Sequence, residues 1–263
     1  MNALYKVGVI GNPIGHSLSP KIHAQFADRA NISLEYKAYE VSERQLGQFI
    51  QTFFSEGGHG LNITLPHKKK CISFVDIVSD EVRILGAANT LMLNDENQIV
   101  AESTDGKGFI DDCTEKKIQI ENKNILILGA GGACQSIVPS IAYKKPNRLM
   151  IENRSKEKIN TLVQKFSEFG VEQFNDLDLG IDLVINATSA GFSGSFHWDI
   201  ERGLSQNTIF YDLTYGDASI EFLKWSGKFS NKTFDGTGML VAQAAHSFNL
   251  WFGQLPSTKN INF

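Results

Sequence analysis

Apolar positions along the chain recur with two different periods. Tyr5 to Ile10 reads as a short strand interrupted by Gly8, and it turns at Gly11-Asn12-Pro13. A helix follows Ser19-Pro20, then a strand over Glu35 to Glu40, a helix through Gln45 to Phe54 and a strand over Gly60 to Thr64. This alternation predicts an α/β lobe with a largely parallel sheet in the first hundred residues. Ser19-Pro20 reads as an N-cap followed by proline at the first helical position, where a missing N–H costs nothing, which sets Ser17 and Ser19 beside a helix N-terminus. A second series begins at the apolar run Ile125 to Leu128 and continues through Arg148 to Ile151, Leu183 to Ile185 and Thr208 to Tyr211. Each strand is followed by a helical or turn segment, as in a Rossmann-type doubly wound fold. From Met239 to Trp251 the spacing of Val241, Ala244, Ala245 and Phe248 predicts a helix with one buried face.

The expected organisation is two α/β lobes with a cleft between them: residues 1–105, on which the C-terminal helical segment 239–263 packs back, and residues 106–238. Asp105-Gly106-Lys107-Gly108 and Asp235-Gly236-Thr237-Gly238 read as glycine-rich hinges. A length of 263 residues suits two domains of about 100 to 150 residues each. With 42% hydrophobic and 21% charged residues, the composition is that of an ordinary globular chain.

The net charge of −4 offers no broad basic surface, so nucleic acid is not an expected partner. Cys71, Cys113 and Cys134 form no C-x-x-C pair, which argues against a disulfide framework or zinc ribbon and for a reducing cytoplasm. The first residues do not read as a signal peptide, and no run of about 18 apolar residues predicts a membrane span. The six histidines show no H-E-x-x-H or similar spacing, so no metal is expected.

Gly129-Ala130-Gly131-Gly132-Ala133 follows an apolar strand and opens a helix from Cys134 to Tyr143, the context that a dinucleotide fingerprint requires. Such a turn lets a pyrophosphate reach backbone N–H groups at the positive end of a helix. Cofactor choice is read at the end of the next strand, here Glu152-Asn153-Arg154-Ser155. If Leu149, Ile151 and Asn153 share a strand face, Asn153 takes the ribose position, with Arg154 beside it and Lys158 one turn on. Two cations and a hydroxyl favour the 2′-phosphate of NADP. A register shifted by one residue would instead bring the Glu152 carboxylate to the ribose and favour NAD.

Four polar clusters mark the first lobe: Ser17-Leu18-Ser19-Pro20, Asn62-Ile63-Thr64-Leu65-Pro66-His67-Lys68, Ala87-Ala88-Asn89-Thr90 and Ser103-Thr104-Asp105-Gly106. Together with the glycine loop, Asn153-Arg154-Ser155, Asn186-Ala187-Thr188, Asp212-Leu213-Thr214-Tyr215 and Gly238 to Ala245, these resemble the shikimate dehydrogenase family in content and order over nearly the whole chain. The resemblance implies a first lobe that binds substrate, a second that binds NADP(H), and reduction of 3-dehydroshikimate to shikimate in aromatic amino-acid biosynthesis. It implies that Ser17 and Ser19 bind the substrate carboxylate. Thr64, Asn89, Asp105, Tyr215 and Gln243 would hold the carboxylate or hydroxyls, and Lys68 would be the catalytic lysine. For the cofactor it implies Gly129, Ala130, Gly131, Gly132, Ala133, Asn153, Arg154, Ser155, Lys158, Thr188, Leu213, Gly236 and Met239, with Asp80 near the nicotinamide end. The chain departs from the family pattern at Ser103, where asparagine is usual, at Gln135, and at Gly216-Asp217, which lack the common proline.

The residues agree with these expectations, since a polyhydroxylated acid calls for several neutral hydrogen-bonding groups and a carboxylate suits a helix start. An aspartate beside Lys68 favours its ammonium, so Lys68 is expected to donate a proton and stabilise the developing alkoxide while Asp105 orients it. His67 is read as structural or solvent-facing rather than catalytic. Two other readings share the architecture: a quinate/shikimate dehydrogenase preferring NAD, and a nucleotide-binding redox sensor without activity, which would have no need of Ser17, Ser19, Lys68, Asp105 and Gln243. The expected assembly is a monomer or a homodimer.

Overall fold

In a computed structural model, residues 4–175, 180–198, 200 and 203–263 are described. They fall into two compact units, Met1–Gly108 with Val241–Phe263, and Phe109–Leu240.

In the first unit β1 (Tyr5–Gly11) lies between β2 (Leu34–Glu40) and β3 (Gly58–Ile63), parallel to both. Helices α1 (Ser19–Ala30) and α2 (Leu46–Ser55) make the crossovers. The α2 positions Leu46, Ile50, Phe53 and Phe54 recur on one helical face and are buried in a cluster with Ile10, Leu61 and Leu91. Beyond them come β4 (Ile77–Val78), α3 (Asp80–Leu85), β5 (Thr90–Leu93) and β6 (Ile99–Glu102), giving the strand order β2-β1-β3-β5-β6-β4. The sheet is largely parallel, as expected, except at β5, which runs antiparallel to both β3 and β6. A hairpin explains this. Asn94 Oδ1 accepts the N–H groups of Glu96 and Gln98, and Asn97 takes the left-handed conformation with φ 59°. Asparagine does both at low cost.

The N-cap of α1 is Leu18, not Ser19, and no side chain caps the helix. Ser19 is instead the first helical residue, and Ser17 Oγ accepts its N–H at 3.3 Å.

Helix α4 (Asp105–Glu115) follows β6. In the second unit, β7 (Asn124–Leu128), α5 (Gly132–Ala142), β8 (Arg148–Glu152), α6 (Lys156–Lys165) and β9 (Val171–Gln173) form one half. The other half contains β10 (Leu183–Asn186), β11 (Ile209–Asp212), α7 (Ile220–Ser226) and β12 (Thr233–Phe234). The pairings described are all parallel, and the order β9-β8-β7-β10-β11-β12 is the 3-2-1-4-5-6 of the dinucleotide fold. Ile125, Leu126, Ile127 and Leu128 are all fully buried, the continuous apolar run of a strand covered on both faces. The strand order reverses between β7 and β10, and ligands bind outside the carboxyl ends of strands at such a point.

Helix α8 (Thr237–Phe252) ends where Gly253 adopts φ +67°. The segment expected to be helical to residue 263 is therefore helical only to Phe252. Its remainder lies along α1, where the Arg29 guanidinium donates to the carbonyls of Ser257, Lys259 and Asn260. Among the described residues no helix is long and apolar enough to cross a membrane, and no group of three potential ligands could hold a metal.

Of the glycines read as hinges, Gly106 and Gly108 sit inside α4, Gly238 sits in the first turn of α8 and Gly236 directly precedes it. A Cβ on Gly108 of α4 would stand 2.5 Å from the Gln243 amide nitrogen of α8, and one on Gly238 would collide with the Asp112 carboxylate. Glycine here permits close backbone approach rather than motion. Gly108→Ala is expected to destabilise the protein by about 1–3 kcal/mol, as overpacking does, measured as a lowered urea midpoint at unchanged m.

Candidate active site and nucleotide loop

Lys68 follows β3 in a turn in which His67 N–H bonds to the Thr64 carbonyl and Ala88 N–H bonds to the Lys68 carbonyl. Its Nζ lies 2.6 Å from Asp105 Oδ2, with side chains 29% and 10% exposed respectively. The lysine run is thereby divided, for Lys69 is exposed and Lys70 pairs with Glu43 on the surface. His67 is fully buried with Nε2 2.6 Å from the Val41 carbonyl, a structural role.

The other oxygen of Asp105 is held by Asn89, whose Nδ2 donates to it at 2.9 Å. Asn89 Oδ1 accepts the main-chain N–H of Thr104 at 2.8 Å, and that N–H cannot reverse its role. The amide is therefore oriented with both hydrogens toward Asp105 Oδ1, Thr104 Oγ1 and Gln243 Oε1. Three acceptors for two hydrogens leave the group over-subscribed. The sequence-derived set Lys68, Asn89, Asp105 and Gln243 is thus one hydrogen-bonded cluster in the first unit.

Beneath it lies a layer that sequence reading missed. Ser247 Oγ is 2.8 Å from Thr90 Oγ1, 3.2 Å from Thr104 Oγ1 and 3.0 Å from Asn62 Nδ2, and the Tyr36 hydroxyl donates to Asn62 Oδ1 at 2.8 Å. Ser247 falls four residues after Gln243 on α8, one helical turn on, and this spacing was the available signal. Ser19, buried at the start of α1, faces the same Tyr36 hydroxyl, whose ionisation burial opposes strongly. Thr64 is half-buried, with its methyl against Gly11. Asp80 is 92% exposed in the first turn of α3 and pairs with Arg83, an ordinary acidic residue at a helix N-terminus.

His23, one turn into α1, is fully buried and stacked on Tyr36 at 4.6 Å, with neither ring nitrogen hydrogen-bonded. Burial lowers its pKa to about 3, with Asn62 acting the other way.

In the second unit Gly129 has φ +103°, its N–H bonds to the Glu152 carbonyl at 2.7 Å, and a Cβ there would touch Ala187 and Thr188. The loop is thus held against the C-terminal ends of β8 and β10. Gly131 and Gly132 face open space, and no side chain caps α5. Strand β8 ends at Glu152, one residue before the expected strand position of Asn153. Asn153 Nδ2 bonds to the Ser155 carbonyl, while Arg154 and Lys158 are exposed and form no ion pair among the described residues. Thr188 is fixed by Asn186 Oδ1, which accepts both its N–H and hydroxyl, and Asp212 Oδ1 does the same for Thr214. Burial raises the Asp212 carboxyl to about 6. Leu213 N–H bonds to the Asn186 carbonyl and Gly236 N–H to that of Thr214, which brings these backbones to the strand ends. Met239 lies in the first turn of α8, and Tyr215 is half-buried beyond β11, its phenol pushed up by burial.

Fold and site define a two-domain α/β protein with a dinucleotide-type second domain and a partly buried Lys–Asp–Asn–Gln cluster in the first. Sequence profiles match in the same order: the shikimate dehydrogenase substrate binding domain over residues 9–91, shikimate / quinate 5-dehydrogenase over 112–214, and the shikimate 5′-dehydrogenase C-terminal domain over 236–262. The chain belongs to the shikimate dehydrogenase family. It is 40% identical over 259 residues to shikimate dehydrogenase (NADP(+)) of Legionella pneumophila, covering 98% of this chain and 97% of that one. The Vibrio atlanticus shikimate dehydrogenase (NADP(+)) is 35% identical over 97% of this chain and 94% of its own. A shikimate dehydrogenase solved in complex with NADP+ superposes with a TM-score of 0.88 at 30% identity, covering 98% and 94% of the two chains.

The sign of one pH effect follows from His23. Its folded pKa lies below the ordinary 6.5, so the unfolded chain takes up the proton first as pH falls. The stability contributed by neutral His23 is complete above about pH 6.5 and is lost as pH drops toward about 3. His23→Phe is expected to flatten the stability profile over that window, read by urea titrations at pH 7 and pH 4.5.

Proposed function

We propose that this protein is an NADP-dependent shikimate dehydrogenase, catalysing the reversible reduction of 3-dehydroshikimate to shikimate in chorismate and aromatic amino-acid biosynthesis. The observation that carries the reading is the Lys68–Asp105 pair at 2.6 Å, held by Asn89, whose amide also donates to Gln243, in a chain of this family. The nucleotide site fits its ligand: Gly131 and Gly132 leave room for a pyrophosphate, and the exposed cations Arg154 and Lys158 suit a 2′-phosphate. Asn153, Ser155, Thr188, Leu213, Gly236 and Met239 complete the set that holds it, with Gly129, Ala130 and Ala133 in the loop. Asp80 is kept at the nicotinamide end on the family resemblance alone. When bound, NADPH supplies the hydride that reduces the ketone carbon.

The chain's own residues do the rest. Ser17 and Ser19 bind the substrate carboxylate, and Thr64, Asn89, Asp105, Tyr215 and Gln243 hold the carboxylate or hydroxyls. The over-subscribed Asn89 amide can give one hydrogen to a substrate oxygen without leaving Asp105 unpaired. Lys68 donates a proton from Nζ to the ketone oxygen as it becomes an alkoxide, and Asp105 fixes the direction of that N–H. In the oxidative direction Lys68 takes the proton back. The protein works as a monomer or homodimer in the cytoplasm, a setting supported by three buried, free cysteines.

Initial rates with shikimate or quinate, each paired with NADP+ or NAD+, test the reading. Shikimate with NADP+ is expected to give the highest kcat/KM, and no turnover with any pairing would leave a nucleotide binder without this activity. Lys68→Ala is expected to lower kcat by about 10²- to 10⁴-fold with a modest change in KM, the pattern of an interaction made in the transition state. A near-normal kcat would remove Lys68 from the chemistry.

A further inference from the structure

The end of β8 carries two opposed features. Glu152 is the last residue of the second strand of the dinucleotide fold, opposite Leu128, and its carbonyl accepts the N–H of Gly129 at 2.7 Å. It is therefore tied to the first glycine of the phosphate loop, where an acid in this fold meets the adenosine ribose. Its carboxylate is partly buried, and Oε1 accepts the main-chain N–H of Asn153 at 3.0 Å. That bond occupies the donor at the head of Asn153-Arg154-Ser155, the segment facing any 2′-substituent. The Asn153 side chain is turned away to the Ser155 carbonyl. Arg154 and Lys158 meanwhile stand exposed and outside any ion pair among the described residues, an arrangement that attracts an anion.

From this juxtaposition we propose that Glu152 is a nucleotide-selectivity residue: its carboxylate weakens the hold on a ribose 2′-phosphate and accepts a free ribose 2′-hydroxyl, so the protein binds NAD alongside NADP. The proposal rests on the nucleotide site described above and adds a determinant to it. A phosphate dianion drawn in by Arg154 and Lys158 meets a fixed negative charge at the strand end and finds the Asn153 N–H already taken. A neutral 2′-hydroxyl meets no repulsion and can donate to the carboxylate. Burial raises the carboxyl pKa of the half-buried Glu152, and the charge of Lys156 acts the other way. Glu152 thus opposes the two cations rather than joining them.

The test is direct binding by titration calorimetry of NADP+, NAD+, 2′,5′-ADP and 5′-AMP to the wild-type protein and to E152Q and E152A. The adenosine fragments report on the ribose pocket without the nicotinamide. In both variants 2′,5′-ADP is expected to bind about three- to tenfold tighter and 5′-AMP about as much weaker, the scale of one partly screened charge contact. Unchanged affinities within about twofold, or an equal loss for both fragments, would overturn the role of Glu152 while leaving the nucleotide site intact. Failure of the wild-type protein to bind NADP+ and NAD+ would sink the site reading and this proposal together.

Discussion

One main-chain donor governs the geometry around Lys68. The Thr104 N–H can only donate, so the Asn89 carbonyl must face it and the Asn89 NH2 must face Asp105. Asp105 then has one oxygen committed to an amide and the other left for Lys68. The same logic orients the layer below. Thr104 Oγ1 accepts from Asn89 and shares a hydrogen bond with Ser247 Oγ, and Thr90 Oγ1 donates to Asn89 Oδ1. Few hydroxyl rotors in this network are free, and a satisfied buried network of this kind rigidifies the groups it carries. Lys68 retains solvent access, which a proton donor that must be recharged requires, while its partner is almost wholly enclosed.

The second unit reaches a comparable precision with backbone rather than side chains. A parallel sheet in the order 3-2-1-4-5-6 brings the ends of β7, β8 and β10 together. The Gly129 turn is pinned on both sides, by the Glu152 carbonyl and by Ala187 and Thr188. Asn186 and Asp212, in register on adjacent strands, each fold the following residues back through one side-chain oxygen. Burying a carboxylate there has a cost, seen in the raised Asp212 carboxyl, and it is offset by two hydrogen bonds from Thr214.

The glycines mark where local reading and tertiary reality part. As isolated pairs, Gly106 with Gly108 and Gly236 with Gly238 look like flexible joints. In the fold, Gly108 lies under the α8 backbone and Gly238 against Asp112, so their missing Cβ atoms serve packing. Nothing within either tetrapeptide distinguishes the two uses, because the partner is more than a hundred residues away. The β5–β6 hairpin was missed for a simpler reason, since strands of four residues carry little periodicity.

What the sequence determined by itself were the features with local causes: the apolar strand, glycine turn and helix of the nucleotide loop, and the helical face of α8; Lys68, Asn89, Asp105 and Gln243 were marked by the family resemblance. The tertiary structure alone decided which of three adjacent lysines is half-buried against the Asp105 carboxylate and that Ser247, Asn62 and Tyr36 support the cluster. It also decided that β8 stops at Glu152, with that side chain bonded to the next N–H. The physical reason is that hydrogen bonds between residues distant in the chain, and the burial that strengthens them, are properties of the assembled fold.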